Sequence, residues 1–424
     1  MSVEVVSLPF AEVGQKLQSL IDRKQLASLE ACVRCGICTE SCHYYRSEPK
    51  LEHTPFYRAE QLRKIYRYLL SPTARYFRSR DDLGSTSAAE LLRRLAEIAF
   101  STCTLCQRCT LDCPFSVDTA DIMRVTRALA TASGSAPQML VELADAAIAK
   151  GENIEFFKEF YLDQVKELEK QVQDYLGSSR AQIPVEREGA RILYVPLSGA
   201  HTIVPQAILF NLAEESWTLS LFETSNYAYF LADTARASRI AQRVIAEAER
   251  LRVADVVVTE CGHGYPVMRW EVARWLGQRP PFRVRSIIEV LDEYLQIGAL
   301  HRDLRRYSVP ITYHDSCNLG RKGGLFEEPR RIIRTVSSDF RELTPNRIYS
   351  FCCGAGSGLV AVPERTDIRL RAGKLKAEQI RRTGAKIVVT SCDNCRHQIG
   401  ELSEHYGLGI EVTSLSELVV KALV

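Results

Sequence analysis

Apolar residues recur at helical spacing through residues 11–30 (AEVGQKLQSLIDRKQLASLE), which predicts a helix running directly into a cysteine-rich run. Residues 58–71 and 86–100 also read as helices, the second opened by a Ser/Thr cap candidate. Helix-forming sequence resumes after a second cysteine run and continues to about residue 176. It breaks at Gly177-Ser178-Ser179 and passes Pro184. From residue 191 the pattern changes to short β-branched runs, RILYVPL, WTLSLFE, ADVVVTE, VPITYHD and AKIVVTS, separated by helical segments such as 234–251 and 364–383. That alternation predicts α/β architecture with largely parallel sheets.

A weak internal repeat runs through this half. Ala254–Gly264 (ADVVVTECGHG) aligns with Ala385–Cys395 (AKIVVTSCDNC), and Leu193–Ser198 aligns with Thr312–Cys317. The expected fold is therefore α+β and α/β: an α-helical ferredoxin-type domain over 1–130, a helical linker over 131–187, and an α/β domain of two related halves over 188–424. Its degenerate first half spans 188–300 and its intact second half 301–424.

The chain has 424 residues, and its 55 basic and 52 acidic side chains leave a net charge of only +3, so no strong field points to nucleic acid. No stretch offers the roughly 18 apolar residues of a membrane span, and the start MSVEVVSLPF has no export signal. A cytoplasmic location is expected, peripheral to the membrane only through a partner. In that compartment fourteen cysteines point to metal or redox chemistry rather than disulfides.

Thirteen of them fall into three groups, and Cys261 stands alone. The first run is Cys32, Cys35, Cys38 and Cys42; the second is Cys103, Cys106, Cys109 and Cys113, followed by Pro114. Both have the C-x2-C-x2-C-x3-C spacing of bacterial ferredoxins, in which three thiolates of one loop hold a cubane and the fourth serves the other cluster. The expected ligand sets are Cys32, Cys35, Cys38 with Cys113, and Cys103, Cys106, Cys109 with Cys42, holding two [4Fe–4S] cubanes. Zinc also takes four thiolates, but two identical four-cysteine runs argue for iron–sulfur. His43 stands where the pattern usually has proline.

The third group is Cys317 in HDSC, the adjacent Cys352 and Cys353 in FCCGAGSG, and Cys392 and Cys395 in SCDNC. Five thiolates exceed one zinc or one plain cubane, and a vicinal pair suits irons spread further apart. Gly354, Gly356 and Gly358 could be misread as a dinucleotide fingerprint. Following the cysteines directly, they read as a backbone nest for cluster sulfides, with Gly354 and Gly356 as cofactor-binding positions.

This pattern resembles the cysteine-rich CCG domain of heterodisulfide reductases, and over about residues 30–420 the whole chain resembles their D-type catalytic subunit. Related families include the K-type subunit of the sulfite-reduction-associated membrane complex and the iron–sulfur subunits of glycolate and glycerol-3-phosphate dehydrogenases. The resemblance implies one noncubane [4Fe–4S] cluster on Cys317, Cys352, Cys353, Cys392 and Cys395. Its chemistry would be reduction of a disulfide or oxidation of thiols, on a small molecule or a carrier protein. It also implies partner subunits, a cytochrome b-like membrane quinone subunit or a flavoprotein. The alternative is a non-catalytic relay between a flavin dehydrogenase and the quinone pool. A third reading is a zinc-stabilised scaffold. The stretch HTPFYRAEQLRKIYRYL after the first run favours the heterodisulfide and sulfite-reduction branch.

The first repeat lacks its cysteines: Ser198 and the SNY around Asn226 replace them, and Cys261 alone survives. Cys261 is either a packed relic or a thiol able to exchange with a disulfide, which places it with the candidate catalytic cysteines. His263, His314 and His397 could deliver protons, although each is more often a hydrogen-bonding residue. Arg321, Lys322 and Arg396 could balance cluster charge or simply form a solvated face.

Overall fold

In the computed structural model, residues 9–71, 86–197, 199–224, 226–300 and 303–423 are described. Ser198 lies outside them. The chain divides into two compact units. The first comprises Met1–Leu143, Tyr227–Asp233 and Phe351–Ala377; the second comprises Ala144–Asn226, Thr234–Ser350 and Glu378–Val424.

The first unit is helical. Helix Thr119–Ala132 packs against helices Phe10–Leu20, Pro55–Leu69 and Ala88–Ser101, around a core that includes Leu17, Leu62, Leu92, Ile122, Met123 and Leu129. The helix starts are written locally: Thr54 accepts from Tyr57 N ahead of Pro55, Ser87 from Glu90 N, and Asp118 from Asp121 N. The single helix expected over 11–30 is two, Phe10–Leu20 and Arg23–Ala31. Asp22 interrupts it by forming a capping box with Gln25, which starts the second helix in a new direction.

The second unit holds two four-stranded parallel sheets. In chain order the strands are β1 (Ile192–Val195), β2 (Trp217–Leu219), β3 (Asp255–Val258) and β4 (Arg283–Ser286), then β5 (Ile311–His314), β6 (Phe340–Glu342), β7 (Ile387–Thr390) and β8 (Glu411–Thr413). Their spatial orders are β2-β1-β3-β4 and β6-β5-β7-β8, the same arrangement twice. The central strands β1, β3, β5 and β7 are buried throughout, as parallel strands covered on both faces must be. Each sheet reverses its strand order between its two central strands, so a crevice opens beyond their carboxyl ends. Cys317 follows β5, Cys392 follows β7, and Cys261 follows β3. Helix Ile154–Leu176 of this unit ends at Gly177, whose φ of +61° and amide bonds to Gln173 and Asp174 carbonyls close it.

Candidate iron–sulfur centres

The two cysteine runs turn at the same two points. Arg34 and Gly36 have φ of +59° and +80°, and the matching positions of the second run, Leu105 and Gln107, have +53° and +63°. Left-handed residues at these two points turn successive amide groups inward, as a nest for an anionic cluster requires. Three of those four are not glycine, so the loops hold strain that the rest of the unit sustains.

The thiols sort into two sets. Cys38 is pushed up to about 11, first by burial and then by the charges of Cys32, Cys113 and Cys35. Cys109 is raised by burial and then by Cys106 and Cys103, with Cys42 also contributing. The structure thus brings Cys113 to the first run and Cys42 to the second. Cys42 and Cys103 are buried, whereas Cys35 is exposed. Four clustered thiols in each set suit a [4Fe–4S] cubane, and buried donors accompany them: among the described residues, the hydroxyls of Thr39, Tyr44 and Thr104 and the Nε of Arg58 and Arg63 have no partner in the protein. Cluster sulfides are the acceptors such groups need.

Several residues that matter here carry no cysteine signal. Arg58 is buried and donates from Nη2 to Cys42 Sγ at 3.1 Å and from Nη1 to the Thr102 carbonyl. It lies in the apolar stripe with Leu62 and Ile65, at positions i, i+4 and i+7, and that spacing is the signal that could have marked it. Arg127 is wholly buried and donates to the carbonyls of Ala99 (3.0 Å), Cys103 (2.8 Å), Phe230 (2.8 Å) and Ser357 (2.8 Å). Burial pulls its guanidinium down to about 10.

The vicinal pair belongs to this same first unit. Cys352 and Cys353 are buried, and Gly354, at φ +108°, sends its amide to Cys352 Sγ at 3.4 Å. Ser357 Oγ donates to the Thr104 carbonyl at 2.9 Å, and a Cβ at Gly356 would meet that same oxygen at 3.1 Å. Phe351 stacks under Arg108, with 3.9 Å from guanidinium carbon to ring centroid. The Tyr44 ring completes the wall: burial first, then the charges of Cys352 and Cys103, push its hydroxyl upward.

In the second unit Cys317, Cys392, Cys395 and Cys261 are all buried. Cys392 is drawn well below the ordinary thiol range by a hydrogen bond from Cys395 and a second from His263. His263 Nε2 accepts from Asn318 Nδ2 at 2.9 Å, which leaves the ring proton on Nδ1. Cys261 lies beside Cys392 and is pushed up to about 12 by burial and then by that neighbour. Its sulfur accepts from Gly264 N at 3.1 Å and Asn226 Nδ2 at 3.2 Å, contacts that pull in the opposite direction to burial without outweighing it. His314, at the end of β5, has a ring nitrogen within 4.8 Å of Cys395 Sγ. His397 is largely exposed, 3.7 Å from Asp393.

The basic candidates are mostly structural. Arg321 donates to the Ile348 and Ser350 carbonyls, and Arg396 pairs with Glu417 at 2.9 Å. The Cys317 loop is held by Asp315, which receives both Nη groups of the buried Arg330 at 2.8 and 2.9 Å. Arg330 also grips Glu342 of β6.

Residues 28–117 match the family model described as a 4Fe-4S dicluster domain, and residues 311–400 match the one described as a cysteine-rich domain (CCG). Over 93% of its length the chain is 28% identical to the Hdr-like menaquinol oxidoreductase iron-sulfur subunit 2 of Archaeoglobus fulgidus, covering 80% of that protein. Over 94% it is 25% identical to the D-type chain of the dihydromethanophenazine:CoB--CoM heterodisulfide reductase of Methanosarcina barkeri, covering 95%. Similarity extends, at 23% identity, to 56% of the EtfAB:quinone oxidoreductase of Syntrophomonas wolfei.

Helical thiolate loops followed by a parallel-sheet domain, together with these matches, define an iron–sulfur oxidoreductase chain with a 4Fe–4S dicluster domain and a C-terminal CCG domain. More particularly, over nearly its whole length the chain is similar to an Hdr-like menaquinol oxidoreductase iron-sulfur subunit and to a D-type heterodisulfide reductase chain. Among the described residues no helix is long and apolar enough to cross a membrane.

Proposed function

We propose that this chain is the iron–sulfur subunit of an Hdr-like redox complex, and that it exchanges electrons between the eight-cysteine dicluster domain and a disulfide-cleaving site on Cys317, Cys352, Cys353, Cys392 and Cys395. The observation that carries this reading is the fastening of the loop bearing Cys352 to the second cysteine run, through Ser357 Oγ on the Thr104 carbonyl. The dicluster cysteines and the Cys352–Cys353 pair are then joined by a short protein path in one compact unit.

Filled with iron and sulfide, the thiolate sets supply one-electron transfer and, at the five-cysteine set, an open iron for a substrate sulfur. The chain's own residues do the rest. Arg127 and Ser357 fix the pair's loop, the burial of Cys352 and Cys353 excludes water, and His263 keeps a proton at Nδ1 beside Cys392. The balance is one disulfide, two electrons and two protons giving two thiols. The electrons come from a quinol or a reduced flavin of a partner subunit. The dihydromethanophenazine, menaquinol and quinone named for the relatives support such a partner. Cys261 is proposed as a thiol close enough to Cys392 to exchange with the incoming disulfide.

The test is EPR of anaerobically reconstituted protein carrying about twelve irons per chain, the content of three four-iron clusters. Oxidation in the presence of candidate thiols is expected to produce a paramagnetic signal that is lost in Cys353→Ser. Addition of the matching disulfide should reoxidise the reduced protein. If no thiol yields that signal while both dicluster centres still titrate, the chain is a relay between a flavin dehydrogenase and the quinone pool. Zinc without acid-labile sulfide would end both readings.

A further inference from the structure

Helix Pro55–Leu69 sends two buried arginines to the two cysteine runs, and they are equipped differently. Arg63 donates to the Cys32 carbonyl at 2.9 Å, and its charge is answered by Glu60 at 3.1 Å. Arg58, by contrast, donates to the Thr102 carbonyl and to Cys42 Sγ. Its Nη2 lies 3.1 Å from Cys42 Sγ, and the sulfurs of Cys42, Cys103 and Cys109 are the negative groups that act most strongly on it. A full positive charge, removed from water and placed against ligand sulfurs, is costly to keep unless the site carries negative charge.

That placement has an electrochemical meaning. Adding an electron to a cluster makes it more negative, and a hydrogen bond or cation at a ligand sulfur stabilises the reduced state more than the oxidised one. The effect is strong where water is excluded, and Arg58 and Cys42 are both buried, whereas the other set reaches the surface at Cys35. We propose that Arg58 is a positioning residue that raises the reduction potential of the centre on Cys42, Cys103, Cys106 and Cys109. The electron is thereby held at the centre whose run contacts the Cys352 loop. The inference rests on the eight cysteines holding their two clusters, and is independent of whether the five-cysteine site cleaves disulfides.

The experiment is a redox titration followed by EPR on the full-length, cluster-loaded protein, with iron and sulfide measured on each sample. The variants are Arg58→Lys, Arg58→Gln and Arg58→Met, with Arg63→Gln as the control on the same helix. The signal belonging to the Cys42 set is identified as the one altered by Cys106→Ser. Arg58→Met and Arg58→Gln are expected to lower the midpoint of that signal, reducing its reduction equilibrium at least about tenfold, ~59 mV for one electron. The other signal stays in place. Arg58→Lys should recover most of the shift, and Arg63→Gln should leave that midpoint unchanged. Fully loaded Arg58→Met or Arg58→Gln protein with both midpoints at their original values overturns the proposal, and so does an equal shift in Arg63→Gln. Loss of iron from both the Gln and Met variants, with retention in Lys, would overturn it in favour of a residue that merely secures the cluster. Low iron in the unaltered protein would instead strike at the dicluster reading.

Discussion

Ser357 and Thr104 are 253 positions apart in sequence, yet the hydroxyl of one donates to the carbonyl of the other at 2.9 Å inside a single compact unit. The same loop is tied a second time by Arg127, whose Nη1 serves both Ser357 and Phe230 carbonyls. Losing these ties has graded consequences. Ser357→Ala should cost about 1 kcal/mol, the net worth of one buried hydrogen bond. Arg127→Met strands four buried carbonyls and should cost about 3–5 kcal/mol. Denaturant unfolding under anaerobic conditions measures both.

Gly358 is the tightest glycine of that loop. Its φ is +87°, and a Cβ would approach Phe230 Cδ2 to 2.8 Å and Leu140 Cδ2 to 3.1 Å. Gly358→Ala is expected to combine left-handed strain with overpacking, about 2–4 kcal/mol in all. The loop should shift, and the EPR line shape of the centre proposed to use Cys352 and Cys353 should change with it. An unchanged spectrum and unchanged stability would contradict the placement.

Arg330 is held between Asp315 and Glu342 with no exposed surface of its own. Removing one partner of such a pair leaves a buried charge, so Arg330→Met should destabilise by about 3–5 kcal/mol. Asp315 precedes the Cys317 loop and also takes the Arg347 amide at 2.8 Å. Iron loss in Asp315→Asn is therefore expected to be confined to the C-terminal site, with both dicluster signals intact.

Glu247 gives a pH signature. Burial raises its carboxyl from 4.5 to about 7, against hydrogen bonds from the Leu221 amide and Ser220 Oγ that pull it down. The folded state thus holds the proton over a range where the unfolded chain has released it. This contribution is complete below about pH 4.5 and is lost as pH rises towards 7, by on the order of 3 kcal/mol. Glu247→Gln should flatten that part of the stability profile measured by thermal unfolding between pH 5 and 8.

The left-handed positions of the two runs can be exchanged for a direct test of backbone strain. Gly36→Ala should weaken cluster retention by about 1–2 kcal/mol, since nothing crowds the new Cβ and only its φ of +80° matters. Gln107→Gly, at the equivalent point, should be neutral or better by up to ~1 kcal/mol. The half-life of cluster absorbance in chelator reads both.

The sequence was most informative where chemistry demands spacing. Both four-cysteine runs and the five C-terminal cysteines stand out by interval alone. The five β-branched runs became strands β1, β2, β3, β5 and β7. Strands β4 (RVRS), β6 (FRE) and β8 (EVT) were not visible. All three lie at sheet edges, where one side meets solvent and the apolar run that announces a buried strand is not required. Arg58 and Arg127 escaped notice for the opposite reason. A charged residue reads as surface unless its buried partners are known, and here those partners are sulfurs and carbonyls brought in from distant stretches of chain. The weak repeat aligned 387–390 with 256–259, and the strands it marks coincide to within one residue.

The helical unit draws its last wall from Phe351–Ala377. A ribosome that has released only the first 143 residues has made all eight dicluster cysteines but not the carbonyls of Phe230 and Ser357 that saturate Arg127. The buried surroundings of Arg127 and Cys103 are therefore assembled from three separate stretches of chain, and are complete only once residues 227–233 and 351–377 have joined the helices of residues 1–143.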